Sequence, residues 1–253
     1  MMRRLLLASL VALGACASGP RTSYVPRDAS LARAPLFFYP SQVDSLHPRA
    51  FILFLGNDVA FWEPHQELAW RLSKQGYAVA GLDIKKYLAA LPEPEPARDS
   101  AFAAGIAPFI ARVRHEMRAD SLPMIIGGHS FGAEVAFWVA LHQPPPHLVG
   151  VLALSSRSTG HLFVTPLDLL NYEASGRWAF STIQAAHDIA PGVRIALVRG
   201  AHDPFIAHDS AFAAAGGARL RRYVIPLAGH SLKKLVIAGP MIERAVDWLL
   251  TGQ

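Results

Sequence analysis

The feature that most constrains this chain is the alternation of short apolar runs with longer segments of helical period. Most of the runs are apolar at every position, which is typical of strands covered by helices on both faces of a parallel sheet. The alternation therefore predicts an α/β fold with a mostly parallel central sheet. The strands are predicted at residues 36–39, 50–55, 77–82, 122–127, 148–154, 193–198 and 220–225.

Helical periodicity occupies the intervals between these strands. In the last interval, Met241, Ala245 and Leu249 fall on one face and Arg244 and Asp247 on the other, so we expect this helix to pack on the sheet. With 253 residues, 52% of them hydrophobic, and no internal repeat, a single domain over residues 35–253 is expected. The helices are predicted at residues 63–74, 98–118, 131–142, 208–215 and 238–250.

Two segments interrupt the alternation. Residues 91–96 contain three prolines and form a stiff connector, which we expect at the surface. Residues 155–190 form a long insertion between two predicted strands. Connections of this length are usually functional or contain helices of their own, so we expect residues 155–190 to form a cap over a site.

The N-terminus has the pattern of an export signal. Arg3 and Arg4 precede an apolar stretch at residues 5–13 that is too short to span a bilayer, so residues 1–15 are predicted to be a signal peptide. The stretch closes with Leu-Gly-Ala-Cys at Cys16, the single cysteine, and this ending resembles a bacterial lipobox. Residues 16–34 are then a lipidated cysteine and tether, and the protein is expected to be anchored in the bacterial cell envelope facing the periplasm. The alternative is an ordinary cleaved signal with a coincidental cysteine.

Charge and composition argue against several partners. The formal charge is +5, and Arg3 and Arg4 of the predicted signal contribute two of these charges. This weak basic bias suits an anionic surface such as phospholipid headgroups, but no basic run interleaved with aromatics indicates a nucleic-acid groove. Neither a His-Glu-x-x-His motif nor a cysteine pair is present, so we expect no metal and no cofactor.

A candidate nucleophile follows the strand predicted at residues 122–127. Gly128-His129-Ser130-Phe131-Gly132 stands between this strand and a helical segment, which is the strand-turn-helix context of a nucleophile elbow. Small residues at positions 128 and 132 allow a tight turn that lifts the hydroxyl of Ser130 clear of the sheet edge. Ser130 is therefore predicted to be a catalytic nucleophile.

A serine hydroxyl needs a base, and the base needs a carboxylate to orient it. Asp203 follows the strand at residues 193–198, and His230 follows the strand at residues 220–225, so both belong to the same edge of the sheet as Ser130. The order Ser, Asp, His is the one expected for this architecture. We predict His230 as the base and Asp203 as its partner, with Asp209 and Asp188 as competing carboxylates.

Acyl transfer also requires donors for a developing oxyanion. The backbone N–H of Phe131 is the first candidate, and Asn57, in the turn after the strand at residues 50–55, is the second. A plain turn is the alternative for Asn57, helix-dipole stabilisation is the alternative for Glu134, and loop capping or core packing is the alternative for Asp83 and Tyr87. The residues predicted to line the substrate site are Asp58, Asp83, Tyr87, His129 and Glu134.

Together these features resemble the α/β-hydrolase superfamily over most of the chain, from about residue 35 to residue 250. Three stretches resemble its bacterial virulence protein J (VirJ/AcvB-type) branch: residues 58–62, residues 81–87 and residues 130–134. That branch usually carries a Gly-Asp-Gly-Gly-Trp turn, whereas residues 57–62 lack the glycine pair. The resemblance implies a periplasmic protein associated with hydrolysis of aminoacyl-phosphatidylglycerol.

Three functional hypotheses follow. The first is an exported, membrane-tethered serine hydrolase that cleaves a carboxylic ester, with a phospholipid ester as the candidate substrate. Within the enzyme class, the alternative substrate is a small ester or thioester. The alternative from another class is a non-catalytic envelope protein that uses a hydrolase scaffold for binding or as a secretion accessory. The sequence contains no feature that fixes the oligomeric state.

Overall fold

The computed structural model describes residues 24–170, 172–231, 233 and 240–253. Over these residues, seven strands form one sheet in the order β1-β3-β2-β4-β5-β8-β9, in which β1 is antiparallel and the others are parallel. The prediction of a mostly parallel α/β sheet is confirmed. The strands are β1 (Leu36–Tyr39), β2 (Phe51–Leu55), β3 (Ala78–Leu82), β4 (Met124–His129), β5 (Leu148–Leu154), β6 (Thr159–Gly160), β7 (Phe180–Ser181), β8 (Arg194–Gly200) and β9 (Leu220–Ile225).

Helices cover both faces of the sheet. Along β2, Phe51, Leu53 and Leu55 point to one hydrophobic cluster, and Ile52 and Phe54 point to the other. The first cluster is covered by α3, α4, α5, α7 and α8, and the second by α2 and α9. The helices are α1 (Ala29–Ala32), α2 (Glu63–Ser73), α3 (Ile84–Ala89), α4 (Glu95–Glu116), α5 (Phe131–His142), α6 (Pro166–Leu169), α7 (Thr182–Asp188), α8 (Asp209–Gly216) and α9 (Met241–Thr251).

The proline-rich connector is shorter than expected. Helix α4 begins at Glu95, inside the segment predicted to be a surface connector, because Pro96 falls in the first helical turn, where a missing backbone N–H costs nothing. The short helix α3 was not predicted either. It begins directly after Asp83, whose side chain accepts a hydrogen bond from the backbone of Lys86. Half of the β3–α4 connection is therefore helical.

The domain begins earlier than predicted. Tyr24 donates its hydroxyl to Glu116 Oε1 at 2.7 Å, and the backbone N–H groups of Arg27 and Asp28 donate to the same carboxylate at 3.0 and 3.2 Å. Leu31 in α1 is buried against the core. Residues 24–34, expected to belong to the tether, thus pack on the end of α4 as part of the domain.

The predicted signal peptide and Cys16 lie outside the described residues. Among the helices that are described, none combines the length and the apolar character needed to cross a bilayer.

The insertion at residues 155–190 has two parts. Residues 155–181 contain the small ribbon β6–β7 and the short helix α6. Helix α7 packs Ala185 and Ala186 into the core beside α5 and α8, so it is the crossover helix between β5 and β8. Only residues 155–181 stand apart from the regular alternation, and a cap over a site stays a prediction for this shorter segment.

A buried ion cluster joins this segment to the helix that follows Ser130. The Arg157 guanidinium donates from Nε to Glu134 Oε1 at 2.5 Å and from Nη2 to Glu134 Oε2 at 3.0 Å. Its Nη2 also lies 2.7 Å from Asp168 Oδ1, and His161 Nε2 lies 3.0 Å from the same carboxylate. All four side chains are buried, so each charge depends on the others for its solvation.

Replacing Arg157 with Met is expected to lower the free energy of unfolding by about 3–5 kcal/mol, because the buried Glu134 carboxylate loses the guanidinium that binds both of its oxygens. Urea denaturation followed by circular dichroism measures the change. The matched control is Arg49→Met, which removes an exposed ion pair with Asp247 and should cost at most about 1 kcal/mol. Equal losses in the two variants would contradict a structural role for the Arg157 cluster.

Candidate active site

Ser130 occupies a strained turn at the carboxyl end of β4. Its φ is 53° and its ψ is −120°, a conformation that costs a residue with a side chain about 1–3 kcal/mol. The surrounding structure holds it there: its backbone N–H donates to Leu154 O, and its carbonyl accepts from Ala133 and Glu134 in the first turn of α5. The predicted elbow is therefore present in the backbone.

The two glycines of the motif are required by close approach. A Cβ at position 128 would overlap the backbone of Gly132, and a Cβ at position 132 would overlap the carbonyl oxygens of Leu55 and Gly56. The elbow thus packs directly against the end of β2. This contact brings the loop after β2, which contains Asn57, beside the turn that carries Ser130.

The side chains of Ser130, His230 and Asp203 form one hydrogen-bonded chain. Ser130 Oγ lies 2.9 Å from His230 Nε2, and His230 Nδ1 lies 3.1 Å from Asp203 Oδ2. An ionised carboxylate only accepts, so Nδ1 carries the proton and Nε2 is free to accept from the serine hydroxyl. The loops that carry Asp203 and His230 are joined by a hydrogen bond from His202 N to Ala228 O at 2.8 Å.

Neither competing carboxylate contacts His230. Asp209 is buried and ion-pairs with Arg199, and Asp188 is bonded to His187 and Gln184. The structure therefore brings Asp203, rather than Asp209 or Asp188, to the imidazole.

A buried arginine completes the surroundings of Asp203. Arg199 Nη1 donates to Asp203 Oδ1 at 3.2 Å, and the backbone N–H of Phe205 donates to the same oxygen at 2.9 Å. Burial alone would raise the pKa of Asp203, but the hydrogen bond from His230 and the charges of His230 and Arg199 hold that pKa well below its ordinary value. Asp203 is consequently a carboxylate at neutral pH.

Arg199 also fixes neighbouring elements. Its Nε donates to Asp209 Oδ1 at 2.6 Å and its Nη2 donates to the Ser156 carbonyl at 2.7 Å. The guanidinium therefore connects β8, the first turn of α8 and the start of the insertion, and it binds two carboxylates, those of Asp203 and Asp209. Sequence analysis did not identify Arg199, although an arginine within the apolar run of β8 was a usable signal.

His129 does not line the substrate site as predicted. It is buried beneath His230, with ring centroids 5.5 Å apart, and its Nε2 donates to the His230 carbonyl at 2.9 Å. Burial, together with repulsion from His230, lowers the pKa of His129 to about 3, so the ring is neutral. His129 positions the backbone of His230 rather than contacting a bound molecule.

The predicted oxyanion donors lie on the two sides of the elbow. The backbone N–H of Phe131 begins α5 directly after Ser130 and has no acceptor among the described residues. The Asn57 side chain accepts from the backbone N–H groups of Val59 and Ala60 at 3.1 and 3.2 Å, so it shapes the turn. The backbone N–H of Asn57 is likewise without an acceptor in the described structure, and it is the group that remains available from this loop.

Asp83 and Tyr87 serve the structure instead of lining the site. The Asp83 carboxylate caps α3 through the Lys86 backbone and lies 3.4 Å from the Lys86 ammonium. Tyr87 packs its ring against Phe109 and Phe102 of α4. Both positions do follow the end of β3, but their side chains are turned to local partners.

Glu134 is also not a substrate-lining residue. Its carboxylate is buried and is bound by both arms of the Arg157 guanidinium, which also excludes a role limited to the helix dipole. Asp58 is the remaining predicted residue, and it lies nearly buried in the loop beside Asn57. It stays a prediction as a substrate contact.

The arrangement is suited to one kind of chemistry. A serine hydroxyl that donates to a neutral imidazole can lose its proton as the oxygen attacks an electrophilic carbon, and a fixed carboxylate stabilises the imidazolium that forms. Within the described part of the chain, no three His, Cys, Asp or Glu side chains are grouped so as to hold a metal ion.

Comparison with known proteins gave matches in structure alone. No family model matches the sequence, and no curated protein matches it.

Among solved structures, a soluble variant of monoglyceride lipase from Saccharomyces cerevisiae superposes with a TM-score of 0.61 at 14% identity, covering 85% of this chain and 90% of that one. The esterase domain of a Rhodothermus marinus protein gives a TM-score of 0.55 at 14% identity, with coverages of 85% and 97%. The thioesterase domain from the curacin biosynthetic pathway gives 0.54 at 13% identity, with coverages of 83% and 94%. Together with the sheet topology, these likenesses show that the chain has the α/β-hydrolase fold.

Proposed function

We propose that this protein is a serine hydrolase that cleaves a carboxylic ester. The observation that carries the proposal is the continuous hydrogen-bonded chain from Ser130 through His230 to Asp203, at distances of 2.9 and 3.1 Å. Support also comes from the likeness to proteins described as a lipase, an esterase and a thioesterase. In this proposal Ser130 is the nucleophile, His230 is the base and then the acid, and Asp203 orients the imidazole.

The first half of the reaction forms an acyl-enzyme. Ser130 Oγ attacks the carbonyl carbon of the ester while its proton passes to His230 Nε2. The carbonyl oxygen becomes an oxyanion, for which the backbone N–H groups of Phe131 and Asn57 are the available donors. The imidazolium then protonates the leaving alcohol as its bond to the carbonyl carbon breaks.

The second half releases the acid. His230 takes a proton from a water molecule, whose oxygen attacks the acyl carbon, and the resulting tetrahedral intermediate collapses with return of a proton to Ser130 Oγ. Asp203 remains ionised throughout because Arg199 and the Phe205 N–H hold its second oxygen. The cycle consumes one ester and one water and regenerates the hydroxyl.

The finer proposal concerns location and substrate. From the sequence we propose export, lipidation at Cys16 and attachment to the cell envelope, with the catalytic domain facing the periplasm. From the resemblance to the virulence protein J branch we propose aminoacyl-phosphatidylglycerol as the ester. A membrane-attached enzyme would meet such a substrate in the same bilayer.

Ser130→Ala is expected to abolish covalent labelling by a fluorophosphonate probe and to lower kcat on p-nitrophenyl butyrate by at least about 10⁴-fold, because the attacking oxygen is removed. Gel fluorescence and absorbance measure the two effects. Ser100→Ala removes an exposed hydroxyl on α4 and is the matched control. Labelling that persists in Ser130→Ala would overturn the assignment of Ser130 as the nucleophile.

Arg199→Met is expected to reduce kcat by roughly tenfold or more, because Asp203 loses one of the hydrogen bonds that hold it. This is part of the roughly 10²–10⁴-fold rate enhancement that general-base catalysis typically contributes. The pH at which kcat/KM falls on the acid side should move upward, because the Arg199 charge is one of the causes that hold the pKa of Asp203 low. Arg199→Lys should restore part of the rate.

The control for Arg199 is Arg222→Gln. Arg222 Nη2 lies 3.4 Å from Asp209 Oδ2 and is partly exposed. Because Arg222 does not bind Asp203, its removal tests the loss of a charge near Asp209 alone. A pH profile that stays unchanged in Arg199→Met would show that the arginine serves folding alone.

Substrate class is tested by comparing hydrolysis of p-nitrophenyl butyrate with that of aminoacyl-phosphatidylglycerol in vesicles, using the same protein. We expect kcat/KM to be higher on the aminoacylated lipid, and both activities to disappear in Ser130→Ala. Hydrolysis of the small ester without release of amino acid from the lipid would overturn the lipid substrate and leave the ester hydrolase in place.

A further inference from the structure

Exposed apolar side chains are concentrated around the edge of the sheet that carries Ser130. Of the eleven large hydrophobic residues exposed in the described part of the chain, seven lie on three segments that follow β2, β5 and β9. Leu227 is 83% exposed and Leu170 is 66% exposed. We call these seven side chains the rim: Val59, Trp62, Leu167, Leu169, Leu170, Tyr172 and Leu227.

The topology places the whole rim at one end of the molecule. Strands β2, β5 and β9 are parallel, so the segments after their last residues emerge at the same edge as Ser130, Asp203 and His230. Leu227 is three residues before His230, and Val59 and Trp62 are in the loop that contacts the elbow. Exposed hydrophobic side chains at the other end include Val43 and Leu46, in the connection that enters β2.

The charge exposed beside the rim is positive. Arg177 and Lys233 are exposed on the segments after β5 and β9. Among the described acidic side chains of these three segments, Asp58 and Asp168 are buried. The third, Glu173, accepts hydrogen bonds from Ser158 and Thr159, and its carboxylate lies 3.2 Å from His208 Nε2.

We propose that the rim docks on the surface of a bilayer containing anionic lipid, so that the edge bearing Ser130 faces the membrane. Exposed leucines flanked by Trp and Tyr match the interfacial region of a bilayer, where amphipathic rings are favoured. Arg177 and Lys233 add electrostatic attraction to anionic headgroups. No element of the described structure covers these exposed apolar side chains, and an apolar patch left open to water usually marks an interaction surface.

This docking surface is distinct from attachment through Cys16. The described chain begins at Tyr24, which is bonded to Glu116 at the end of α4, beside the entry to β4 and therefore at the opposite edge. The role of docking in supplying substrate rests on the proposed ester hydrolysis, because a docked protein would present a lipid ester to Ser130. As a binding event it is measurable on its own.

The test places a polarity-sensitive fluorophore on the rim or on the far edge. In the full chain with Cys16→Ser, which has no cysteine, Leu170→Cys and Leu46→Cys each provide one labelling site. With vesicles of phosphatidylcholine and phosphatidylglycerol, emission from position 170 should shift to shorter wavelength and emission from position 46 should not. Pure phosphatidylcholine or added salt should weaken the shift, because Debye screening reduces the attraction.

A second pair of variants measures affinity. Leu170→Glu should weaken co-sedimentation with the anionic vesicles by about tenfold, which corresponds to losing one buried leucine, and Leu46→Glu should leave it unchanged. Three results would overturn the docking proposal: no shift at position 170, equal shifts at both positions, or a shift that depends on protein concentration without lipid, which would indicate self-association.

Assay of p-nitrophenyl butyrate hydrolysis by the same labelled proteins separates the two proposals. Turnover of the soluble ester without a lipid-dependent shift overturns the docking alone. A lipid-dependent shift without turnover of any ester overturns the hydrolase alone.

Discussion

The carboxylate of Asp203 has no contact with solvent, so the protein itself must balance its charge. His230 binds one oxygen, and Arg199 and the backbone of Phe205 bind the other. The rest of the candidate site depends on this arrangement. The hydrogen bond to Asp203 keeps the proton on Nδ1 of His230, so that Nε2 is left to accept from the Ser130 hydroxyl. An arginine in this position also makes the carboxylate a fixed ion rather than a proton acceptor.

Arg199, which binds this carboxylate, also holds distant segments together. Arg199 reaches from the end of β8 to Asp209 and to the Ser156 carbonyl, so the insertion starts from a fixed point. His129 also holds a neighbouring segment in place, because its ring donates a hydrogen bond to the backbone carbonyl of His230. Burial keeps this ring neutral. Arg199, through Asp203, and His129 thus fix the position of His230 from two sides.

Much of this architecture was predictable from the sequence. Three of the seven strands, 36–39, 148–154 and 220–225, were predicted with their observed bounds, although β1 is antiparallel and β9 contains the exposed Arg221 and Arg222. The elbow was recognisable because its two glycines are sterically required. Chain order alone assigned Ser130, Asp203 and His230 to one edge of the sheet, and the structure brings their side chains into contact.

What the sequence could not indicate was the direction of individual side chains. Asp83, Tyr87, His129 and Glu134 all belong to segments near the catalytic edge, yet each turns to a partner that only the folded chain supplies. The Arg157–Glu134 pair joins residues 23 positions apart, and Arg199 meets Asp209 across the end of a strand. Helices α3 and α7 are short, and their few apolar positions give no clear period.

The buried Arg157–Glu134 pair has a consequence for how this scaffold can diversify. Residues 155–181 supply, through Arg157, the counterion for Glu134 in the first turn of the helix that follows the elbow. A transplanted segment without a cation at the same place would leave an uncompensated carboxylate in the core. Replacement of residues 155–181 as a unit is therefore disfavoured by the cost of the unpaired charge. New substrate ranges are more accessible through single substitutions in this segment that keep Arg157.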